Sequence, residues 1–377
     1  MSKIVGRLDL IKKMNRQLVV EQIRSLQPIS RAQIAKDLNL SKSTVSTIVE
    51  DLLKRKLIVE VGEGESTKEG GRRGLLLGFN PKSAYGIGVD IGGTKILIII
   101  TDLDGNLIYR EKRKTTNDIG EVVQFIRECL QKADISEADV FGMGIGVPGT
   151  TNNEEGIVKG SVQLEWVNFP FKKLIEPHFP FPVFINNDVN CSALGERWLG
   201  AGGNSDHIYF ISIGTAVGSA IIANGNLVYG HNYTAGEVCF QISIDDIRNN
   251  RFNLPNDYGV FEKKISGTAL SQHGYTTEEI FSEYAKGNEQ VIPVIQDFVL
   301  QLSIVLANVV SLLNPEKVVI GGGVSESMGI ILDDIQEKVA CLTPIKTKIE
   351  LASLGGDAGA LGAIAYAFNQ LEEANLL

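Results

Sequence analysis

The sequence predicts an α/β chain in two parts, a small winged helix-turn-helix followed by a two-lobed body. Three observations predict it. Residues 30–53, ISRAQIAKDLNLSKSTVSTIVEDL, set apolar residues at helical spacing on both sides of a short turn. From Tyr85 onward, short apolar strands alternate with helical stretches. The charge is also divided: the first 80 residues carry 15 basic and 9 acidic side chains, and the rest carry 21 and 36. With 377 residues, 44% of them apolar, the chain can bury full cores in two or three domains.

The N-terminal elements follow in order. Leu10, Ile11, Met14, Leu18, Val19, Ile23 and Leu26 recur at helical spacing, which predicts a helix over 9–26 that Pro28 ends. Ser30 caps a second helix, with Gln33 three residues on as in a capping box. Ile34, Ala35 and Leu38 face inward, and Asn39 and Leu40 form the turn. Ser41 caps a third helix, which packs through Val45, Ile48, Val49 and Leu52 and leaves Lys42, Ser43, Thr44, Ser46 and Thr47 on its outer N-terminal face.

Short hydroxyl side chains and one lysine suit base edges and phosphates in a major groove, and a helix N-terminus favours a nearby phosphate. Leu57 to Val61 alternates as a strand, Leu75 to Leu77 returns, and Gly62, Gly64, Gly70 and Gly71 lie between, which predicts a β-wing. Arg72 and Arg73 on that wing would enter a minor groove or clamp phosphates. A three-helix bundle used only for dimerisation is the alternative. Helix order, outer face, wing and local positive charge agree on DNA.

In the body, GIGVDIGGTKILIIITDLDGNLIY reads as a strand, a glycine turn, a second strand, an Asp-Gly turn and a third strand. A dinucleotide fingerprint needs a helix after its glycines, so that motif fits poorly. An acid followed by Gly92, Gly93 and Thr94 matches the phosphate hairpin of the actin-like ATPase (sugar-kinase-like) fold, in which two lobes with mixed sheets enclose a cleft. No apolar run is expected to reach the ~20 residues of a membrane span. No charged segment followed by an apolar one opens the chain, so the expectation is a cytoplasmic protein. Cys129, Cys191, Cys239 and Cys341 are widely spaced, which predicts reduced thiols rather than a disulfide frame.

Several segments in this order resemble the ROK (repressor, open reading frame, kinase) family: DIGGTK at 90–95, GVPG at 146–149, NNDVNCSALGE at 186–196, IGTAVGSAII at 213–222, TAGEV at 234–238 and GGG at 321–323. The likeness covers essentially all of 81–377. With the N-terminal module the whole chain resembles the family's xylose-repressor type. GGRRG at 70–74 is similar to the family's link between wing and body, with Gly74 where proline is usual.

The resemblance implies roles. Asn187 and Asp188 would contact a sugar, with Asp188 the general base if the body were a kinase. Glu237 and Glu262 would accept further sugar hydroxyls. Asp90, Gly92, Gly93, Thr94, Gly214, Thr215 and Gly218 would line a phosphate cradle, and Gly321 to Gly323, with Gly322 central, would lie under an adenosine. Bare turns between strands with nothing bound are the other reading of these glycines, and ATP-Mg enters only if the body is a kinase.

The departures from the family pattern concern metal and sugar. ROK proteins commonly hold a zinc with one histidine and three cysteines. The corresponding positions here are Phe240, Asn253, Pro255 and Val260, and Cys239 stands alone, which predicts no structural zinc. Packing through Phe252, Leu254, Tyr258 and Phe261 would then have to hold residues 241–260. Gln163 stands where the family often has an asparagine ahead of Trp166. His231 either replaces the lost histidine or is an exposed loop residue.

The expected division is a helix-turn-helix over 1–61, a wing and linker over 62–80, and a sugar-binding body over 81–377, with the cleft near 186–262. The primary reading is a sugar-responsive repressor, a homodimer or tetramer on operator DNA with a sugar or sugar phosphate as effector. The alternative is an ATP-dependent sugar kinase with a DNA-binding appendage, against which Ala216 stands where the second phosphate loop usually has glycine. A structural scaffold would leave the basic module unexplained. LSIVLANVVSLL, residues 302–313, is either lobe core or subunit contact.

Overall fold

The computed structural model describes residues 2–63, 74–254, 257 and 259–373, with side chains from residue 11 through residue 372 of that range. It forms two compact units. One is built on the described residues up to Tyr85 together with Asp102–Asn106 and residues 372–373. The other comprises Gly86–Thr101 and Leu107–Leu371.

The first unit contains helices α1 (Ser2–Leu26), α2 (Arg31–Asp37) and α3 (Lys42–Lys54). Its three-stranded sheet has the order β1 (Ile29–Ser30), β3 (Leu75–Phe79), β2 (Ile58–Glu63). β2 and β3 pair antiparallel as the two sides of the expected wing. Arg72, Arg73, Gly64, Gly70 and Gly71 lie outside the described residues.

α1 starts seven residues before the expected boundary. Its apolar stripe is only partly used: Val19 and Ile23 are buried with Ile34, Val45, Val49 and Leu52, whereas Ile11, Met14, Leu18 and Leu26 are exposed. Ser30 caps α2 by accepting from the Gln33 amide, but the Gln33 side chain turns forward to Asp37, so only half of the capping box forms. Ser41 caps α3 by accepting from the Thr44 amide at 3.1 Å. Asn39 takes φ +52° in the turn between the two helices, a conformation asparagine tolerates.

The second unit has two lobes of the same topology. The first sheet has the order β6 (Leu107–Lys114), β5 (Lys95–Asp102), β4 (Tyr85–Ile91), β7 (Val140–Val147), β11 (Val183–Asn187). In the second, the order is β14 (Asn226–Leu227), β13 (Val217–Ala223), β12 (Ile208–Ile213), β15 (Lys317–Gly321), β16 (Lys348–Leu351). Each is a meander of three strands extended by two strands after helical connections. The meander of the first lobe is the one that the strand–turn–strand reading of 86–109 predicted. A small antiparallel sheet of β8 (Thr150–Asn152), β9 (Ile157–Ser161) and β10 (Trp166–Phe169) projects from the first lobe.

Helices α4 (Ile119–Lys132), α5 (Asp188–Leu199), α6 (Ile292–Leu313), α7 (Leu332–Leu342) and α8 (Ala358–Glu373) flank the sheets. α6 corrects one expectation. Its 22 residues are long and apolar enough to cross a bilayer, so a run of that length does exist. More than half of it is buried: Leu302, Val305, Leu306, Val309 and Val310 pack with Ile211, Ile213, Val318 and Ile320 in the core of the second lobe. Hydrophobic burial inside the lobe accounts for its composition.

α5 and α8 cross at backbone distance. A Cβ on Gly362 would stand 1.6 Å from the Cys191 carbonyl oxygen, and one on Gly195 would stand 2.3 Å from that of Ala358. α8 lies as tightly on the first sheet, where a Cβ on Gly88 or Gly144 would meet the carbonyls of Ala360 and Ala363 at 1.9 and 1.8 Å. Rigid backbone leaves no soft partner to move. Gly362→Ala is expected to cost about 3 kcal/mol in urea unfolding, the upper end of overpacking. Gly329→Ala, with nothing within 4 Å, would change stability far less.

Candidate effector cleft and nucleic-acid face

The outer face of α3 is as the pattern requires. Lys42, Ser43 and Thr47 are exposed, and Thr44 and Ser46 are half-buried. The hydroxyls of Ser41, Ser43 and Thr44 form one hydrogen-bonded set, with Ser41 Oγ 2.9 Å from Ser43 Oγ and 2.8 Å from Thr44 Oγ1. Thr47 donates to the Ser43 carbonyl. A rigid hydroxyl surface at a helix N-terminus, with Lys42 beside it, offers donors and a positive end to a phosphate backbone.

The cleft is built from strand ends. β4 carries Asp90 next to its C-terminal residue, and β11 runs into Asn187 and Asp188 at the start of α5. Parallel pairing of β7 and β11 sets Gly146 opposite Asn186. A Cβ on Gly146 would lie 3.5 Å from the Asp188 Cα and 3.6 Å from Asp90 Oδ1, ordinary contact distances, so this strand position packs beside both acids. Gly359 at the start of α8 abuts the Asp90 carboxylate, where a Cβ would stand 2.9 Å from its carbon.

Asn187 caps α5 by accepting from the Asn190 amide, and its two N–H donors go to the Gly149 carbonyl and to Asp188 Oδ1. Asn187 therefore holds the Asp188 carboxylate, whose Oδ1 also accepts from the Val189 amide.

Burial raises each of the acids. Burial is the main cause that pushes Asp188 up to about 7, and the neighbouring charge of Asp90 adds to it, with a smaller push from Glu237. Burial likewise pushes Asp90 up to about 6, against the pull of Lys95. Both keep part of their surface open to the cleft. Glu262 is buried and raised by burial first, with Glu237 adding to the shift, while the Val217 amide hydrogen-bonded to it pulls the other way. Burial also raises Glu237, although its residue surface is largely exposed. Asp188 thus feels the charges of Asp90 and Glu237, and Glu262 that of Glu237, a chain of acceptors suited to a neutral, hydroxyl-rich ligand.

The glycine turns are internally closed. The Gly92 amide donates to the Lys95 carbonyl, and the Gly92 carbonyl accepts from Thr115 Oγ1. The Gly214 amide donates to the Ala216 carbonyl, and the Gly214 carbonyl accepts from the Gly267 amide. Gly93, Thr94, Thr215, Gly322 and Gly323 remain exposed. Gly322 has φ +86°, and a Cβ there would meet the Ile213 carbonyl at 2.4 Å. Gly218 packs on Val189, which sets the second lobe's hairpin beside Asp188. Gln163 lies against Gly93 rather than among the acids. His231 is exposed.

A polar network behind Asp188 escaped the sequence reading. Asn186, fully buried at the end of β11, accepts from Asn153 at 3.0 Å, from Asn190 at 3.2 Å and from the Asn187 amide, and donates to the Tyr229 hydroxyl. The signal was an asparagine two residues after Phe184 on an otherwise apolar strand. Asn153 and Tyr229 sit in loops, and no periodicity marks them.

The residues at the family's zinc positions do not fit a metal. Phe240 and Val260 have no donor atom in their side chains. Both ends of the Asn253 amide are taken by backbone groups, and the Cys239 thiol, pushed up to about 12 chiefly by burial, donates to Glu237. Pro255 lies outside the described residues. The expectation that packing holds this stretch needs correction. Phe261 is buried, but Phe252 and Leu254 are exposed, and Tyr258 is not among the described residues. Polar contacts hold the stretch instead. Burial pushes Asp246 up, yet Lys264 at 2.6 Å together with Ser243 outweighs it and holds the carboxyl down to about 2.

A model of the ROK family matches residues 86–370. The xylose repressor of Bacillus subtilis (strain 168) is 32% identical, over 93% of this chain and 94% of its own length. A glucokinase of Halalkalibacterium halodurans is 30% identical over 77% of this chain and 97% of its own. Among solved structures, a ROK family transcriptional regulator described as a homologue of the E. coli MLC protein superposes with TM-score 0.80 at 23% identity, covering 97% of this chain and 99% of its own.

The raised acids carry a pH signature. Their folded pKa values exceed the unfolded ones, so the folded state binds extra protons between about pH 4 and 7. Their favourable contribution is complete below the unfolded values and is lost as pH rises through about 7. Melting of the wild-type protein should fall relative to Asp188→Asn between pH 5.5 and 8, and parallel melting curves across that range would contradict the assigned cluster.

Proposed function

The chain belongs to the ROK family, and on that premise we propose that it is a transcriptional repressor whose body binds a sugar. Residues 1–61 would hold DNA, 62–80 would form wing and linker, and 81–377 would bind the effector. The observation that carries this reading is that one chain has both an exposed Lys42, Ser43 and Thr47 on α3 and an Asp188 carboxylate held by Asn187 beside the charges of Asp90 and Glu237. Likeness to a xylose repressor over nearly the whole chain, module included, supports it. The glucokinase covers only 77% of the chain.

In this mechanism a homodimer lays two α3 helices in successive major grooves of a palindromic operator, about 34 Å apart or a multiple of it. Asn187 fixes Asp188, and Asp188, Glu237 and Glu262 accept hydrogen bonds from sugar hydroxyls. The ligand favours one lobe arrangement over the other. It shifts DNA affinity only by its differential affinity for the two, typically about 1–3 kcal/mol. No proton transfer is required of Asp188.

The test is a melting screen of sugars and sugar phosphates, D-xylose first, with and without ATP-Mg, since a ligand of the folded state raises the midpoint. Retention of DNA is followed in parallel by anisotropy. Asp188→Asn should hold DNA as wild type does and fail to release it with sugar, and normal release would remove Asp188 from the site. Lys42→Ala should weaken DNA binding across sequences and lower the salt slope by about 1. Sugar phosphorylation at about 1 s⁻¹ or faster would instead establish the kinase.

A further inference from the structure

We propose that Asn253 tethers the two segments of this chain that present Glu237 and Glu262, bridging them with one side-chain amide. Its Nδ2 donates to the Phe240 carbonyl at 2.6 Å, and its Oδ1 accepts from the Val260 amide at 2.9 Å. Phe240 follows Glu237 by three residues, and Val260 precedes Glu262 by two. The amide therefore spans the two stretches that present these carboxylates.

Two further contacts make the span narrow enough for one side chain. The Phe261 amide donates to the Cys239 carbonyl at 3.1 Å, and Gly259 lies so close that a Cβ would stand 2.1 Å from that carbonyl. The Cys239 thiol in turn donates to the Glu237 carboxylate. Lys264 and Asp246 brace the same loop from its other side. A planar amide carries a donor and an acceptor on one carbon, and so bridges the Phe240 carbonyl and the Val260 N–H at once. Asparagine has that group, alanine has neither atom, and aspartate has only the acceptor. Asn253 is a positioning residue, acting on the ligand through Glu237 and Glu262.

Hydrogen exchange on the full chain reads the tether directly. In Asn253→Ala the Val260 amide should exchange about tenfold faster, as expected for the loss of one hydrogen bond, while the amides of α6 stay unchanged. Asn253→Asp should split the effect: Val260 stays slow, and the Phe240 and Gln241 amides speed up, because a carboxylate oxygen would face the Phe240 carbonyl. Metal analysis of the purified wild-type protein should give no stoichiometric zinc.

Unchanged Val260 exchange in Asn253→Ala, identical profiles for the two variants, or one zinc per wild-type chain would each overturn the proposal. A weaker D-xylose response in Asn253→Ala rests on the reading of Glu237 and Glu262 given above. The exchange result does not, so the two can fail separately.

Discussion

The crossing of α5 and α8 at backbone contact is the constraint on which the body depends. Two helices approach this closely only where both lack side chains at the contact, and Gly195 and Gly362 supply that gap. The same two helices begin at the cleft. α5 starts with Asp188, and the first turn of α8 places Gly359 against Asp90. A change in the crossing therefore moves Asp188 and alters the packing of Gly359 on Asp90. The buried Glu196 carboxylate reinforces the arrangement. It accepts from the amides of Ala201, Ser353 and Leu354 and so ties the end of α5 to the segment leading into α8.

Electrostatics explains why such a cluster can persist. Asp90 and Asp188 both stand at strand ends in partly closed surroundings, where ionising one raises the cost of ionising the other. A neutral polyhydroxylated ligand would satisfy their lone pairs without adding charge. The Asn186 network behind them joins Asn153, Asn190 and Tyr229 within the protein and so fixes the wall behind Asp188.

The segments that carry Glu237 and Glu262 are joined by contacts of fixed direction and by the close approach of Gly259 to the Cys239 carbonyl. Here an amide and a buried Asp246–Lys264 pair supply directional contacts, and apolar side chains such as Phe252 and Leu254 stay in solvent. Directional hydrogen bonds fix the segments that present Glu237 and Glu262 in one register, which non-directional apolar contact would not do.

Local pattern alone determined the module and the first lobe. Period 3.6 around Val45, Val49 and Leu52 fixed which face of α3 is outward, and alternation with Gly and Asp-Gly turns fixed the β4–β5–β6 meander. Both depend only on neighbours in the chain. The motif order also pointed to Asp188, Glu237 and Glu262, while the approach of Asp188 to Asp90 and the Asn186–Asn153–Tyr229 network join residues tens of positions apart, and the Asn253 tether closes a loop that no periodicity marks. Those contacts were decided by how α5, α8 and the parallel strands close upon one another, since an inward asparagine or a glycine at a helix crossing acquires its meaning only from the partner that tertiary packing brings to it.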